Sequence, residues 1–289
     1  GAAYVFERTS TGWEERAWLK PSLPYDNPTD GAQFGRSVAI SGSTVVVGEP
    51  FRNGQDPAPG GGTWFNVGAV YVFEADGKGG WTETAVLQTP SLRPREDQFG
   101  RTVEISGDRL AIGAVRDDAL LTGPGAFGGA GAVYVYDRTG PSWTLDATLR
   151  PSNVESGETL FGVSLAIDGR RILVGGPLED SDGSAPGDTS APDAGAAYLF
   201  ERDPIGGTWT EIAYLKADNA EAEDQFGWAV ALRGDLAAAG AFGEDGDGSS
   251  PSDNSVDRAG AVYLFEPDTI GAWQQTEYLK RPNPAFLDS

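Results

Sequence analysis

The 289-residue sequence contains no cysteine, no histidine and no methionine. Without cysteine there is no disulfide, no thiol nucleophile and no thiolate metal site. Without histidine the commonest general base and the commonest transition-metal ligand are missing as well. A nucleophile, base and orienting group therefore cannot be assembled from the usual residues, which leaves only serine–lysine or tyrosine–arginine arrangements. Lysine is scarce, with Lys20, Lys78, Lys216 and Lys280 against seventeen arginines. Acids outnumber bases by 43 to 21, giving a formal charge of −22. That balance disfavours nucleic acid, whose binding needs clustered cations to displace counterions, and it disfavours anionic membrane surfaces. It is similar to proteins of high-salt habitats, where screening tolerates like charge; a GC-rich genome with acidic loops accounts for it equally well. No apolar run approaches the ~18 residues of a membrane span, so no membrane insertion is expected. The start carries no charged-then-apolar signal segment and no initiator Met, pointing to a processed or partial product.

What is present is a repeat. Gln33-Phe34-Gly35 returns as Gln98-Phe99-Gly100, then as Phe161-Gly162 and Phe226-Gly227, at intervals of 62 to 65 residues. A second phrase follows each: Gly68-Ala69-Val70-Tyr71, Gly131-Ala132-Val133-Tyr134, Gly195-Ala196-Ala197-Tyr198 and Gly260-Ala261-Val262-Tyr263. A single tryptophan comes next, at Trp81, Trp143, Trp209 and Trp273. Self-similarity at this period means one supersecondary unit copied several times.

Each unit reads as four short strands, in the first complete copy residues 36–41, 44–49, 69–74 and 82–87, with Gly, Pro and Asp between them. The second and third strands are apolar on consecutive residues, as in Val45-Val46-Val47 and Val70-Tyr71-Val72-Phe73. That pattern demands burial on both sheet faces, which a two-layer sandwich does not supply. The fourth strands are more polar, as an outer edge should be. The sequence thus predicts an all-β protein: a β-propeller of four-stranded antiparallel blades, with a β-solenoid as the alternative. As one domain it divides into a half-repeat at 1–23 and repeats near 30–92, 95–152, 157–218 and 222–282. The half-repeat matches third and fourth strands only. It either completes a small ring, pairs with another chain, or belongs to a longer array; pairing in trans would give a head-to-tail contact. Tyr4, Phe6, Trp13, Trp18 and Leu19 are the candidate assembly residues.

These phrases resemble the FG-GAP repeat, the unit of the integrin α-subunit propeller and of many bacterial and archaeal extracellular proteins. The resemblance rests on the four Phe-Gly pairs and on Val47-Gly48-Glu49-Pro50, Ile112-Gly113-Ala114, Val174-Gly175-Gly176-Pro177 and Ala239-Gly240-Ala241, over nearly the whole chain. It implies an extracellular or cell-surface propeller, secreted, that binds or assembles rather than catalyses. Its partners would be other copies of itself or another extracellular protein or polysaccharide. Integrin-like repeats often carry a calcium loop between strands one and two. Here that turn is only Ser41-Gly42-Ser43, Ser106-Gly107-Asp108, Asp168-Gly169-Arg170 or Arg233-Gly234-Asp235, too short for the oxygen ligands calcium takes.

Acidic residues gather instead between strands two and three, at Glu179-Asp180-Ser181-Asp182-Gly183 and Glu244-Asp245-Gly246-Asp247-Gly248, with Asp117 and Asp118 at the matching place. Asp180, Asp182, Asp245 and Asp247 are therefore the candidate calcium ligands, against the plainer reading of a solvated acidic loop. Arg233-Gly234-Asp235 spells an integrin-recognition tripeptide, but turn geometry accounts for its glycine. The recurring tryptophans read as packing plugs before the outer strand. The long loops, near 51–67, 116–130, 178–194 and 242–259, share one face of a propeller, where a ligand would bind. Trp64 and Phe65 are the candidate contacts there. No catalytic residue is assigned; a polysaccharide lyase or hydrolase would need paired carboxylates that 43 acids do not single out.

Overall fold

The computed structural model describes residues 1–23, 31–55, 62–90, 96–118, 129–153, 158–184, 188–246, 249–250 and 253–281. Among them there is no helix. The chain opens with a two-stranded sheet, β1 (Ala3–Arg8) and β2 (Trp13–Leu19). Blade 1 is β3 (Ser37–Ser41), β4 (Thr44–Glu49), β7 (Ala69–Ala75) and β8 (Trp81–Leu87), with the small hairpin β5 (Gly54–Gln55) and β6 (Thr63–Trp64) inside its long loop. Blade 2 is β9 (Phe99–Ser106), β10 (Arg109–Ala114), β11 (Ala132–Thr139) and β12 (Ser142–Leu149). Blade 3 is β13 (Ser164–Asp168), β14 (Arg171–Gly176), β15 (Ala196–Arg202) and β16 (Trp209–Leu215). Blade 4 is β17 (Phe226–Arg233), β18 (Leu236–Ala241), β19 (Ala261–Pro267) and β20 (Trp273–Leu279). Strands in each blade pair antiparallel in chain order.

The first two strands join through glycines at φ between 56° and 59° (Gly42, Gly107, Gly169, Gly234), the left-handed geometry a tight hairpin needs. Arg233-Gly234-Asp235 is such a turn and is already engaged: the Gly234 N–H donates to Asp168, and Arg171 donates to the Gly234 carbonyl and the Asp235 carboxylate. Third and fourth strands slip register at one position in every sheet, as at Val72/Phe73, Leu199/Phe200 and Val5/Phe6. The bulge bends the outer strand and raises the local twist.

The cores lie between blades. The first gathers Val46, Val70 and Val72 of blade 1 with Phe99, Val103 and Ile105 of blade 2, and two others repeat the pattern down the chain. A fourth core seats Ala3, Val5 and Leu19 of the half-blade on Phe34, Val45 and Val47. Successive first strands touch one another while fourth strands scarcely meet, so the blades radiate from their first strands. Each Phe-Gly phenylalanine is the hub of its blade. Phe99, Phe161 and Phe226 are fully buried and meet Tyr134, Tyr198 and Tyr263 edge-on at 5.6, 5.2 and 5.4 Å.

Burial departs from the sequence pattern at both ends. The middle strands β4, β10 and β14 are buried almost without break, as consecutive apolar residues require. In blade 4 the equally apolar β18 and β19 alternate between buried and exposed. Their sequence is built for two covered faces, and the fold covers one.

Candidate functional site

Internal joints between blades are built to one plan. The backbone of residues 65–67 receives N–H groups from Glu96, Gln98 and Phe99, and 192–194 receives those of Glu223, Gln225 and Phe226. Gly68, Gly131 and Gly195 form parallel bridges to Phe99, Phe161 and Phe226 of the next blade. Gly48, Gly113 and Gly175, on the second strands, lie so close to the following Phe-Gly glycine that a Cβ would stand 2.1, 2.2 and 1.9 Å from its carbonyl oxygen. Only glycine fits there. A hydroxyl completes the joint: Ser37 and Ser164 donate to the carbonyls of Gly100 and Gly227 at 2.9 and 2.7 Å, and Thr102 does so to Gly162.

Blade 4 carries most of this socket with no blade seated in it. A Cβ on Gly240 would meet nothing closer than 3.8 Å, against 1.9 Å at Gly175. Gly260 stands where Gly68, Gly131 and Gly195 stand, and among the described residues no backbone N–H bonds to the backbone carbonyls of residues 257–259. The face made by Ala238, Val262, Leu264 and Leu279 matches the Val46, Val70, Val72 and Leu87 face of blade 1, yet Val262 and Leu279 are 41% and 45% exposed. A cavity of about 330 Å³ opens beside it, lined by Trp228, Gly240, Phe242, Gly260, Val262 and Leu279. Trp228 and Phe242 meet edge-on at 5.3 Å. Ala229 occupies the place of Ser37, Thr102 and Ser164, so the joining hydroxyl is missing from this blade.

The half-blade holds only the equivalents of third and fourth strands, β1 and β2. Tyr4 and Phe6 align with Tyr71 and Phe73 but are 55% and 53% exposed, because no Phe-Gly phenylalanine among the described residues packs on them as Phe34 packs on Tyr71 and Phe73. Trp13 is exposed because the internal tryptophans lean on the blade before them: Arg109 stacks over Trp209 at 5.1 Å and Arg171 over Trp273 at 5.5 Å. That supports the packing role for the tryptophans of the complete blades. Trp18 is exposed, with the Lys20 ammonium 5.0 Å from its ring. Leu19 differs from the other candidate assembly residues: it is 4% exposed and packs on blade 1, since it sits on the face that holds the half-blade in place. On β3, Val38 and Ile40 are exposed, whereas their equivalents Val103 and Ile105 are buried under the second and third strands of blade 1.

The acidic loop residues separate into two roles. Glu179, Asp117 and Glu244 are buried, each receiving a tyrosine hydroxyl (Tyr214, Tyr134, Tyr263) and the cation that ends the fourth strand (Lys216, Arg150, Lys280). Blade 1 substitutes Glu49, with Tyr71 and Arg52. Asp180 and Asp245 clamp the loop, accepting the backbone N–H groups of Asp193 and Arg258 at 2.9 and 2.7 Å. Asp182 is exposed, and hydrogen bonds from Ser184 hold its carboxyl down near 2. Asp247 lies outside the described residues. Among the described residues no three acidic side chains gather closely enough to hold a metal ion. At the long-loop face Phe65 is exposed, while Trp64 is half-buried in the β5–β6 hairpin, paired with Gly54.

A second cavity, of about 660 Å³, lies between β12 and β16 and is lined by Asp146, Arg150, Ser152, Trp209 and Glu211. Its carboxylates already have partners. Burial alone would raise the Asp146 carboxyl, but hydrogen bonds from Arg202 and Trp209 outweigh it and hold the group below the usual range. Glu211 accepts the Ser152 N–H and hydroxyl.

Asp224, at the base of blade 4, is 4% exposed; burial, with Glu244, Glu221 and Asp245 nearby, pushes its carboxyl from 3.8 up to about 7. The native state then holds a proton that the unfolded chain has lost, so stability falls as pH rises from about 4 through about 7. An unfolding free energy lower at pH 8 than at pH 5 is expected, by on the order of 1 to 3 kcal/mol in urea denaturation, with Asp224→Asn flattening the profile. Equal slopes for the two proteins would contradict this.

Among the described residues the fold is that of β-propeller blades, four of four strands and one two-stranded half-blade. The FG-GAP repeat family matches residues 20–73, 81–136, 143–200 and 209–265, and the chain belongs to that family. Each match begins at or beside the fourth strand of one sheet and runs through the third strand of the next, so sequence unit and blade are offset by one strand and blades 1, 2 and 3 are each shared by two units. No curated protein sequence matches the chain. Among solved structures, a crystal structure from Bacteroides uniformis, provisionally described as a 6-phosphogluconolactonase, superposes with a TM-score of 0.56 at 9% identity. The superposition covers 98% of this chain and 66% of that one. The likeness is one of fold: this chain is about two thirds of the length of that propeller-like protein.

Proposed function

We propose that this chain is a non-catalytic structural module of an extracellular assembly, joined to other chains through the exposed face of blade 4. The observation that carries the reading is the Gly240–Gly260 face, which retains the glycines and apolar face of an interblade joint and has no blade against it. An apolar sheet face of this kind is stable when something packs on it. Two features weigh against an enzyme: the sequence lacks the usual nucleophile–base pair, and the acids lining the larger cavity are committed to structural partners. Location outside the cell rests on the family, many of whose members are extracellular.

Light scattering across a concentration series tests this. With a net charge of −22 the measurement belongs in about 1 M salt, where the Debye length is ~3 Å. The expected mass exceeds 30.3 kDa and rises with concentration, and Gly240→Ala returns it to 30.3 kDa. A constant 30.3 kDa up to about 1 mM chain would overturn the reading.

A further inference from the structure

Two bridges cross the gap between the outer strands of blades 2 and 3. At the first, Asp146 on β12 accepts the Nε–H and an Nη2–H of Arg202 at 3.0 Å each and the Trp209 indole N–H at 2.8 Å. At the second, Glu211 on β16 accepts the Ser152 N–H at 3.0 Å and its hydroxyl at 2.7 Å. The cavity of about 660 Å³ lies against the stretch of β12 between these bridges. Ala147, Leu149 and Phe200 give it apolar surface, and Thr148, Thr208 and Arg150 give it polar surface.

One bridge is general and the other is particular to this pair of blades. Glu83 on β8 accepts the N–H and hydroxyl of Ser22 in the way that Glu211 accepts those of Ser152. Asp146 is the residue that the β-bulge of blade 2 leaves unpaired; in blades 1, 3 and 4 that residue is Thr84, Ile212 or Thr276. A bulge re-aims the side chain of its extra residue, and here it sends a carboxylate towards the next blade. The matching positions are Thr84 with Leu145 between blades 1 and 2, and Ile212 with Gln275 between blades 3 and 4. Among the complete blades, only this gap carries a carboxylate on both sides. Blades 2 and 3 each have a complete blade on either side, so the gap is an interior one.

The lining decides what fits. A carboxylate can accept about four hydrogen bonds, and Asp146 takes three from the protein while Glu211 takes two, which leaves both with capacity for O–H donors. Two carboxylates repel an anion. A cation is disfavoured by Arg150 on the wall and by Arg109 and Arg202 beside Asp146. A neutral molecule with hydroxyls along its edges and C–H groups on its faces meets both conditions, and that is the chemistry of a sugar ring. The volume lies within the ~300–1,000 Å³ of small-molecule sites.

We propose that the cleft between β12 and β16 binds a neutral saccharide, whose hydroxyls donate to Asp146 and Glu211 and accept from Arg150 and Thr208, and whose C–H face lies on Ala147, Phe200 and Trp209. No bond is made or broken in this site; Arg202 and Ser152 hold the two carboxylates as fixed acceptors. The cleft shares no residue with the cavity on the exposed face of blade 4, so it stands or falls independently of the association proposed above.

Saturation-transfer NMR of the full chain tests this with maltose, cellobiose, lactose and xylobiose at about 10 mM, enough to fill most of a site with a dissociation constant of about 1 mM. At least one of them is expected to receive saturation. Thr208→Trp, which places bulk at the mouth of the cleft on an exposed loop, should abolish the transfer. Glu211→Gln, which removes the charge and keeps an acceptor, should weaken binding about fivefold, while Glu83→Gln at the general bridge leaves it unchanged. Tighter binding of the hexasaccharide than of its disaccharide identifies a segment of polysaccharide as the ligand and equal binding a free sugar; both support the site. Three results would overturn it: no transfer to any neutral sugar, transfer that persists unweakened in both Thr208→Trp and Glu211→Gln, or stronger transfer to glucuronic acid or glucosamine than to every neutral sugar. Should Thr208→Trp not fold, Glu211→Gln against Glu83→Gln decides, and equal binding by the two overturns the proposal.

Discussion

Replacing Gly175 with alanine is expected to cost about 3 kcal/mol or more, a drop in melting temperature of roughly 6 °C or more by circular dichroism. Gly175 is an ordinary strand position in its backbone angles, so alanine brings no conformational strain of its own and would modestly stiffen the unfolded chain. The cost comes from the neighbouring blade. The new Cβ would lie 1.9 Å from the Gly227 carbonyl oxygen and 2.3 Å from the Ser164 hydroxyl. Both belong to the joint between blades 3 and 4, and the carbonyl is backbone, so relief requires the two sheets to part. Parting them exposes the core that Leu173, Leu199 and Phe226 share. Gly113 is in the same position between blades 2 and 3, at 2.2 Å from the Gly162 carbonyl, and its alanine variant should behave alike. A change under about 1 °C at either site would remove the interblade joint from this account.

The second large effect is expected at Lys216. Its ammonium donates to the Glu179 carboxylate at 2.8 Å and to the Gly195 carbonyl at 2.7 Å, with the two side chains 7% and 0% exposed. The carboxylate also receives Asn153, Tyr214 and the Ser181 N–H. Lys216→Met leaves that charge buried without its counter-ion, which costs about 3–5 kcal/mol. Adding Glu179→Gln should recover part of the loss, because the stranded charge is gone and the amide still accepts hydrogen bonds. The exposed Arg258–Glu223 pair should contribute about 0–1 kcal/mol when broken. Urea denaturation of the three variants beside the parent orders these effects; a Lys216→Met protein as stable as the parent would contradict the arrangement.

Much of the fold was legible in the sequence for a physical reason. Four copies of the Phe-Gly phrase specify one unit, and consecutive apolar residues such as Val45-Val46-Val47 require cover on both faces, which stacked blades give. The Gly-centred hairpins and the polar outer strands followed from turn chemistry and edge exposure. Side-chain commitments were less legible. Glu179, Asp117 and Glu244 read as members of acidic loops, and only the fold reveals that each folds inward to a tyrosine and a cation at the end of the fourth strand, some 33 to 37 residues away in the chain. Leu19 read with its aromatic neighbours as an assembly residue, although the two faces of one strand have opposite fates.

The face of blade 4 was missed for another reason. Gly240 and Gly260 look like their internal counterparts, and a repeat pattern does not say which copy has a neighbour. One signal was present: Ala229 breaks the series Ser37, Thr102, Ser164, and Trp228 and Phe242 have no aromatic equivalents in the other complete repeats. Departures at a single register mark the copy whose surroundings differ.

The measurement that bears most directly on the exposed face of blade 4 is the mass of the Gly240→Ala protein across concentration, with its melting curve as the control for folding. An unoccupied socket predicts a melting temperature within about 2 °C of the parent, since a Cβ there meets nothing within 3.7 Å, together with a mass that stays at 30.3 kDa while the parent's rises. A loss of stability as large as that of Gly175→Ala would mean that the socket is already filled within the chain, and a mass rising as the parent's does would mean that association does not use it.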